Sequence, residues 1–339
     1  MREHPSIAAP DTDPDAATVR VIYVAGYGRS GSTLLDIALG NAPGVFGLGE
    51  LTALSRHVWV KGEYCACGQR VSDCHFWSRV VERWSGFEEE RIDLRMANLR
   101  AAQRHVEALP GLGRLPHRAR SLHARETGAL LSAIAREVAS EAREAAPFLV
   151  DSSKLPGRGF ALAATPGIDL HVIHLVRDPR AVVWSMSKRI AREVERGVQK
   201  EIRPKLAAYV ALRWLLVNRA AERLCRLVGP ERSTRVRYED LVADPAGTIA
   251  GILGLWREGE RPPSAVHGSD GVLHPAHQVA GSRHRMQESL VIRADEVWRD
   301  EMPMGRQRLV GLLTGAMLRR YGYLAQVAPV PAERLAVRA

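Results

Sequence analysis

The chain has 339 residues, of which 46% are hydrophobic and 25% are charged. A chain of this size can bury a large core without disulfides or metals, so we expect a globular enzyme. No stretch approaches the roughly 20 apolar residues of a membrane span, and the N-terminus lacks an apolar signal core. These absences exclude a membrane span and favour a cytoplasmic location. The polar opening predicts a disordered lead-in over residues 1–18.

The formal net charge of +10 suits an anionic partner but does not identify one. Only 5 of the 48 basic residues are Lys, so we interpret much of the excess as an Arg bias on solvated surfaces. Basic runs interleaved with aromatic residues, which a single-strand binding surface requires, are not evident. We therefore expect no nucleic-acid partner. A non-catalytic nucleotide or RNA binder is kept as an alternative.

Short apolar segments between helical patterns predict the fold class. The first segment ends at Gly26 and is apolar throughout, which is typical of a parallel strand buried on both faces. Alternation of strands and helices indicates an α/β fold with an open parallel sheet of the P-loop type, flanked by helices. The predicted strands are residues 19–25, 148–150, 172–176 and 234–238, and the first helix is residues 33–39.

A helical insertion is predicted between about residues 78 and 146, where Leu130, Ile134 and Val138 recur at four-residue spacing. We expect this insertion to cover a substrate site. Further helices are predicted over residues 206–228 and 306–320. The former should bury one face, which carries Val210, Trp214, Val217, Ala221 and Leu224. With no repeat or linker evident, we predict a single domain over residues 19–325 and a loosely ordered tail at 326–339.

Residues 26–35, GYGRSGSTLL, lie between the first strand and the first helix, where backbone amides favour an anion. The spacing fits the phosphate-loop pattern at Gly26, Gly31 and Thr33, but Ser32 occupies the Lys position. A nucleoside triphosphatase uses that Lys on the β- and γ-phosphates. The loop therefore predicts a phosphate site. A P-loop small-molecule kinase and a glycine turn without a ligand are the alternatives.

GRSGSTLL resembles the 5'-phosphosulfate loop of sulfotransferases that use 3'-phosphoadenosine 5'-phosphosulfate (PAPS), particularly the bacterial and tyrosylprotein types. The resemblance implies that Arg29 contacts the bridging or sulfuryl oxygens, which suit a planar guanidinium. PAPS has no γ-phosphate and needs no bridging metal, so the missing Lys agrees with this family. The remaining nucleotide contacts in the loop are expected from Gly28, Ser30, Gly31, Ser32 and Thr33.

HVIHLVRDPRAVVWSMSKR, residues 171–189, resembles the 3'-phosphate motif of the same family. The resemblance implies that Arg177 and Ser185 hold the 3'-phosphate through charge-assisted and hydroxyl contacts. The alternative is a structural ion pair of Arg177 with Asp178 or Asp151, with Ser185 on a helix surface.

HQVAGSRHRM, residues 277–286, resembles the segment that closes over the nucleotide in the bacterial enzymes. Gly281 and Arg285 stand at the Gly and Arg positions of that segment, so the resemblance implies that they bind the cofactor. Family members often carry Asn-Pro between these two positions, where this chain has Ser282 and Arg283.

Two further residues are expected to act in catalysis. Glu50 stands where the tyrosylprotein enzymes carry their catalytic Glu, so the resemblance implies a general base. An exposed carboxylate at a helix start is the alternative. Lys154 follows the strand at 148–150, at the strand end where open sheets bind ligands, and we interpret it as a second catalytic cation.

The predicted reaction is direct in-line transfer of a sulfuryl group from PAPS to a hydroxyl of a small-molecule, lipid or glycan acceptor, without a metal. The family likeness is to bacterial enzymes, and an acceptor from secondary metabolism is expected. The residue pattern identifies neither the acceptor nor the oligomeric state.

Three of the four cysteines crowd together in CACGQRVSDCH as Cys65, Cys67 and Cys74. With His75 these residues suggest a zinc site, which we disfavour because the spacing is Cys-x-Cys and the usual second Cys/His pair is absent. A local turn or a redox-sensitive pair is the favoured interpretation.

Overall fold

The computed structural model describes residues 18–86, 88–108, 117–142, 147–189, 203–256 and 272–324. The predicted tail and, apart from Thr18, the predicted lead-in lie outside these residues. Five parallel strands form the central sheet in the order β2-β3-β1-β4-β5, which confirms the α/β fold class. The strands are β1 Val19–Gly26, β2 Val45–Gly47, β3 Phe148–Lys154, β4 Ile168–Val176 and β5 Ser233–Arg237.

Helices surround the sheet, and a short antiparallel pair of strands lies outside it. The outer strands are β6 Val272–Leu273 and β7 Leu290–Val291. The helices are α1 Ser32–Gly40, α2 His75–Ser85, α3 Glu89–Ala108, α4 His117–Ala142, α5 Pro156–Ala163, α6 Pro179–Ser187, α7 Ala207–Val228, α8 Tyr238–Ala243, α9 Pro245–Gly254, α10 Trp298–Glu301 and α11 Met304–Arg320.

All four predicted strands are present, but their limits differ from the prediction. β3 continues to Lys154, beyond the predicted end at residue 150, because the polar residues Asp151, Ser152 and Ser153 are buried in the sheet. Lys154 is therefore the last residue of a strand and does not follow one. β2, with the sequence VFG, was not predicted because three residues carry no periodic pattern.

The side chains of β1 alternate between two buried layers, as expected for a central parallel strand. Val21 and Tyr23 join a core with α2, α4 and α5, whereas Ile22 and Val24 join a second core with α1 and α9. α2, α3 and α4 lie in the part of the chain where the helical insertion was predicted. The predicted core faces of α4 and α7 are confirmed, because the apolar residues named for both are buried.

No helix in the described part of the chain is both long and apolar enough to cross a bilayer.

Strand register brings three segments of the chain to one edge of the sheet. Ala25 pairs with Lys154, and Gly26 pairs with Leu175, so β1, β3 and β4 end side by side. Arg177 follows β4 at the same edge. In the sheet, β2 and β3 lie on one side of β1, and β4 and β5 lie on the other. The strand order therefore reverses at β1, which makes this edge a topological switch point, where open sheets bind ligands.

Candidate active site

The loop after β1 turns sharply into α1 at Gly31. Gly31 is the N-cap of α1 and has a φ of 90°. A Cβ atom there would lie 2.5 Å from Cδ2 of Tyr238, so the Tyr238 ring packs directly against the loop. The first amides of a helix have no partner within the helix and favour an anion. The predicted phosphate loop therefore has the expected strand-loop-helix form.

Arg29 is the central cation of this loop and adopts a left-handed φ of 69°. Burial lowers the pKa of Arg29, the charge of Glu50 raises it, and the charges of Arg283 and Arg177 lower it further. Nη2 of Arg29 and Oγ of Ser30 are buried and have no hydrogen-bond partner among the described residues. Burial of such polar atoms costs free energy unless a ligand forms hydrogen bonds with them.

Arg177 contacts the backbone of the same loop. Its Nη1 donates to the carbonyl oxygen of Arg29 at 3.2 Å, and its Nη2 donates to Oδ2 of Asp295 at 3.0 Å. The guanidinium lies over the Tyr238 ring, with Cζ 4.1 Å from the ring centroid. Its Nε is buried and has no hydrogen-bond partner in the described part of the chain. One nitrogen of Arg177 thus remains for a ligand.

The alternative ion pairs considered for Arg177 are wrong. Asp178 pairs with Arg180 at 2.6 Å, and Asp151 pairs with Arg158 at 2.7 Å. Asp178 also caps α6 by accepting from the amide of Arg180, so its carboxylate is occupied within its own turn. The partner that Arg177 does have, Asp295, lies 118 residues away, and no local pattern predicts it.

Ser185 lies on α6 and is half-buried. Its hydroxyl has no hydrogen-bond partner among the residues that the structure describes. The next residue, Met186, touches the phosphate loop, since a Cβ on Gly28 would lie 3.3 Å from its Cε. α6 therefore packs beside the loop, and the contact of Ser185 with a 3'-phosphate stays a prediction.

Glu50 and Lys154 meet at this edge of the sheet. Nζ of Lys154 donates to Oε1 of Glu50, and the two side chains are 16% and 26% exposed, respectively. Lys154 has a φ of 70° and lies where the β1–β3 register is irregular. Glu50 does precede a short 3-10 helix, Leu51–Ala53, as the alternative assumed. Its carboxylate nevertheless contacts Lys154, so Glu50 is no isolated surface acid.

A buried network fixes the end of β3 that carries Lys154. Oδ2 of Asp151 accepts from Nε of Arg158, and both side chains are buried. Oδ1 of Asp151 accepts from the Ser153 amide at 3.0 Å, while Oγ of Ser153 accepts from the Thr52 amide at 3.1 Å. The network connects the last residues of β3 to the turn that follows Glu50.

Asp36 is a site residue that the sequence interpretation missed. It is fully buried in α1, and its Oδ2 accepts from the amide of Gly49 at 3.0 Å, directly before Glu50. Burial raises the pKa of Asp36 to about 7, although the nearby Ser152 and Gln278 side chains and the Gly49 amide act to lower it. An acid inside the apolar run TLLDIALG was the available signal.

Residues 277–286 cross the phosphate loop beside Glu50. The amide of Glu50 donates to the carbonyl oxygen of Val279 at 2.8 Å, and the amide of Ser282 donates to Oγ1 of Thr33 at 3.0 Å. A Cβ on Gly281 would lie 3.5 Å from Oε1 of Glu50. The structure thus brings the predicted residue Gly281 into the site.

The two arginines of this segment lie differently. Arg285 is buried and donates to the carbonyl oxygen of Tyr64 at 3.2 Å, and burial lowers its pKa. Arg283 is the one whose charge acts on Arg29. Sequence interpretation treated Arg283 only as a departure from the family pattern and did not predict its effect on the pKa of Arg29.

Comparison with known proteins identifies relatives of this chain. A family model described as "Sulfotransferase family" matches residues 21–256, more than half of the chain. Carbohydrate sulfotransferase 5 of Mus musculus is 29% identical over an alignment of 180 residues, and the match covers 48% of this chain and 44% of that protein. The chain therefore matches less than half the length of this relative.

Solved structures of similar shape include the sulfotransferase domain from the Synechococcus PCC 7002 olefin synthase. It has a TM-score of 0.47 and 20% identity and covers 90% of this chain and 96% of its own. The sulfotransferase domain from the curacin biosynthetic pathway has a TM-score of 0.42 and 17% identity, and it covers 88% of this chain and 98% of its own.

Proposed function

The chain belongs to the sulfotransferase family, and from this premise we propose that it transfers the sulfuryl group of PAPS to a hydroxyl group of its acceptor. Small molecules, lipids and glycans are the acceptor classes. The similarity to a carbohydrate sulfotransferase supports keeping glycans among them.

One observation carries the proposal. Nη2 of Arg29, Oγ of Ser30 and Nε of Arg177 are buried around one loop without partners among the described residues. Two cations and a hydroxyl in this condition call for an anion with several oxygens, because charge-assisted hydrogen bonds to such an anion would offset their desolvation. A nucleotide with phosphate groups at both ends and a sulfate meets that requirement.

In the proposed reaction, Glu50 takes the proton of the acceptor hydroxyl as its oxygen attacks sulfur. A new O–S bond forms, the bond from sulfur to the bridging oxygen breaks, and adenosine 3',5'-bisphosphate leaves with the electron pair. Arg29 and Lys154 stabilise the negative charge that develops on the sulfuryl and bridging oxygens. Lys154 also orients Glu50 through their hydrogen bond, so that attack follows the line of the breaking bond.

Ser185 and Arg177 are assigned to the 3'-phosphate, and the amides and hydroxyls from Gly28 to Thr33 to the 5'-phosphosulfate. Gly281 and Arg285 belong to the segment that closes the site, where Gly281 permits the close approach to Thr33. No step in this scheme requires a metal ion.

Calorimetric titration with adenosine 3',5'-bisphosphate and with ATP-Mg²⁺ tests the donor site, and we expect the bisphosphate to bind more tightly. Incubation with PAPS and a metabolite extract from the source, followed by mass spectrometry for sulfate-shifted products, then tests transfer. Tighter binding of ATP-Mg²⁺ would favour the kinase alternative. Bisphosphate binding that falls steeply with salt, together with no turnover, would favour the non-catalytic binder.

A further inference from the structure

The three clustered cysteines are joined in space by a histidine from the far end of the chain. The ligand atoms of Cys65, Cys67, Cys74 and His277 all lie within 4.8 Å of one another. Cys65 and Cys74 are buried, and Cys67 is exposed. The fourth ligand, His277, follows Cys74 by 203 residues, so the local sequence does not indicate it. We propose that these four residues bind one zinc ion in a tetrahedral Cys₃His site.

The distances agree with such a site. A tetrahedron with Zn–S bonds of about 2.3 Å and a Zn–N bond of about 2.0 Å has S···S edges of about 3.8 Å and S···N edges of about 3.5 Å. Sγ of Cys67 lies 3.6 Å from Sγ of Cys74. Nδ1 of His277 lies 3.3 Å from Sγ of Cys74 and 3.6 Å from Sγ of Cys65. Three of the six edges thus have the lengths of one coordination shell, and the other three are no longer than 4.8 Å.

The chemistry of the donors selects zinc. Three thiolates and one imidazole in a tetrahedral arrangement are a donor set typical of structural zinc. Cys74 is the N-cap of α2, where a negative charge is favoured.

The histidine is fixed in its orientation. Phe76 stacks on the His277 ring with centroids 5.0 Å apart and planes at 18°. Nε1 of Trp77 donates to the carbonyl oxygen of His277 at 2.8 Å. Both residues come from the first turn of α2, directly after Cys74, so one turn of helix presents a thiolate and holds the imidazole. Outer-shell support of this kind orients ligands in metal sites.

A redox-sensitive pair, the interpretation favoured from sequence, explains less of this geometry. A Cys67–Cys74 disulfide requires an S–S distance of about 2.0 Å and would leave the Cys65 thiol and the oriented imidazole without a role. The local turn is present: Tyr64 and Arg70 form an antiparallel bridge, and the Cys65 amide donates to the carbonyl oxygen of Gln69 at 2.8 Å. This turn presents Cys65 and Cys67 on the same side.

The site would join two segments that meet at the candidate active site. The Ala66 amide donates to the carbonyl oxygen of Gln278 at 3.1 Å, and the next residue, Val279, exchanges backbone hydrogen bonds with Leu48 and Glu50. Zinc at His277 would therefore anchor the segment that carries Gly281 across the phosphate loop. This consequence rests on the proposed function, whereas metal binding itself does not.

Metal analysis of the full chain, purified without chelators, tests the site. We expect about one zinc per chain in the wild type, loss of zinc in Cys67→Ser and His277→Gln, and full retention in the control Cys225→Ser, because Cys225 lies outside the cluster. Titration of the metal-free wild type with Co²⁺ should give thiolate charge-transfer and tetrahedral ligand-field bands. This measurement needs no variant, so it holds even if the variants fail to fold.

The proposal is overturned if the wild type carries no zinc and gives no cobalt–thiolate band, or if mass spectrometry of unreduced protein finds a Cys67–Cys74 disulfide. With zinc bound, we expect at least 10-fold tighter binding of adenosine 3',5'-bisphosphate than after chelation. Zinc bound without any nucleotide affinity would refute the proposed function and leave the metal site standing. Equal nucleotide affinity with and without zinc would refute the anchoring role alone.

Discussion

Glu50 and Lys154 form a hydrogen-bonded ion pair that joins the turn after β2 to the last residue of β3, 104 residues apart in sequence. Only Oε1 of Glu50 takes part, so Oε2 has no protein hydrogen-bond partner among the described residues. A carboxylate held by one oxygen and open at the other has the geometry that a general base needs.

Glu50→Gln should abolish turnover while nucleotide binding persists. The amide keeps the size of the side chain but cannot accept the acceptor's proton, so we expect bisphosphate release from PAPS to slow by about 100-fold or more. The dissociation constant for adenosine 3',5'-bisphosphate should stay within about twofold, because the loop cations are intact. Glu82→Gln, at an exposed position of α2, is the control. Full activity of Glu50→Gln would remove Glu50 from its role.

Lys154→Met should lower turnover because it removes a cation beside the leaving group. Loss of one preorganised group that stabilises developing charge slows a reaction by about 100-fold or more. Lys61→Met, at an exposed lysine, should have no effect. Turnover and melting temperature are measured together, so that a folding defect is recognised. Unchanged turnover in a folded Lys154→Met enzyme would show that this lysine does not act on the transition state.

Ser185→Ala should weaken binding of the 3'-phosphate specifically. We expect about 10-fold weaker binding of adenosine 3',5'-bisphosphate, as for loss of one hydrogen bond to a charged group, and no change for adenosine 5'-monophosphate. Ser187→Ala on the same helix is the matched control, since its hydroxyl donates to the Trp184 carbonyl oxygen. Calorimetry with both nucleotides measures the difference. An equal loss for both nucleotides would contradict the assignment.

Local patterns predicted the sheet and the positions of the loop residues because these depend on short-range periodicity. β1 is an uninterrupted apolar run, and the phosphate loop lies between that strand and α1, so the position of the loop could be predicted from its neighbours, whereas the role of Arg29 came from the family resemblance. The end of β3 could not be predicted in this way, because Asp151 and Ser153 are typical of a polar turn. Only the structure shows that Arg158 donates a hydrogen bond to the buried Asp151.

The rest of the site depends on contacts between residues that lie far apart in the sequence. Asp295 for Arg177, Val279 for Glu50 and His277 for the cysteines each come from more than 100 residues away. No spacing within a segment encodes such partners. Sequence interpretation therefore named candidate residues, but could not say which of them are already paired within the protein.

Gly281→Ala should disturb the contact between the closing segment and the phosphate loop. Gly281 has a φ of 88°, and a Cβ would lie 2.8 Å from Oγ1 of Thr33. We expect a loss of about 1–3 kcal/mol in the free energy of unfolding and weaker binding of the bisphosphate. Gly311→Ala in α11, where a Cβ meets nothing within 4 Å, should be neutral or stabilising. Wild-type nucleotide affinity in Gly281→Ala would contradict the close approach.

The wild type should lose stability as the pH rises towards 7, whereas Asp36→Asn should not show this loss. Burial raises the pKa of Asp36 in the folded protein to about 7, from 3.8. Below pH 3.8 the carboxyl is protonated in both the folded and the unfolded state. Between pH 3.8 and pH 7 only the unfolded chain ionises, so the wild type loses stability up to about pH 7.

Relative to Asp36→Asn, the wild type should lose roughly 2 kcal/mol between pH 5 and pH 7, and little more above pH 8. Urea unfolding of both proteins at each pH measures this difference, in which the titrations of all other groups cancel. A difference that does not change with pH would mean that Asp36 is already ionised in the folded protein at pH 5. Asn keeps an oxygen that can accept from the Gly49 amide, so the position of Glu50 should be preserved and turnover largely retained.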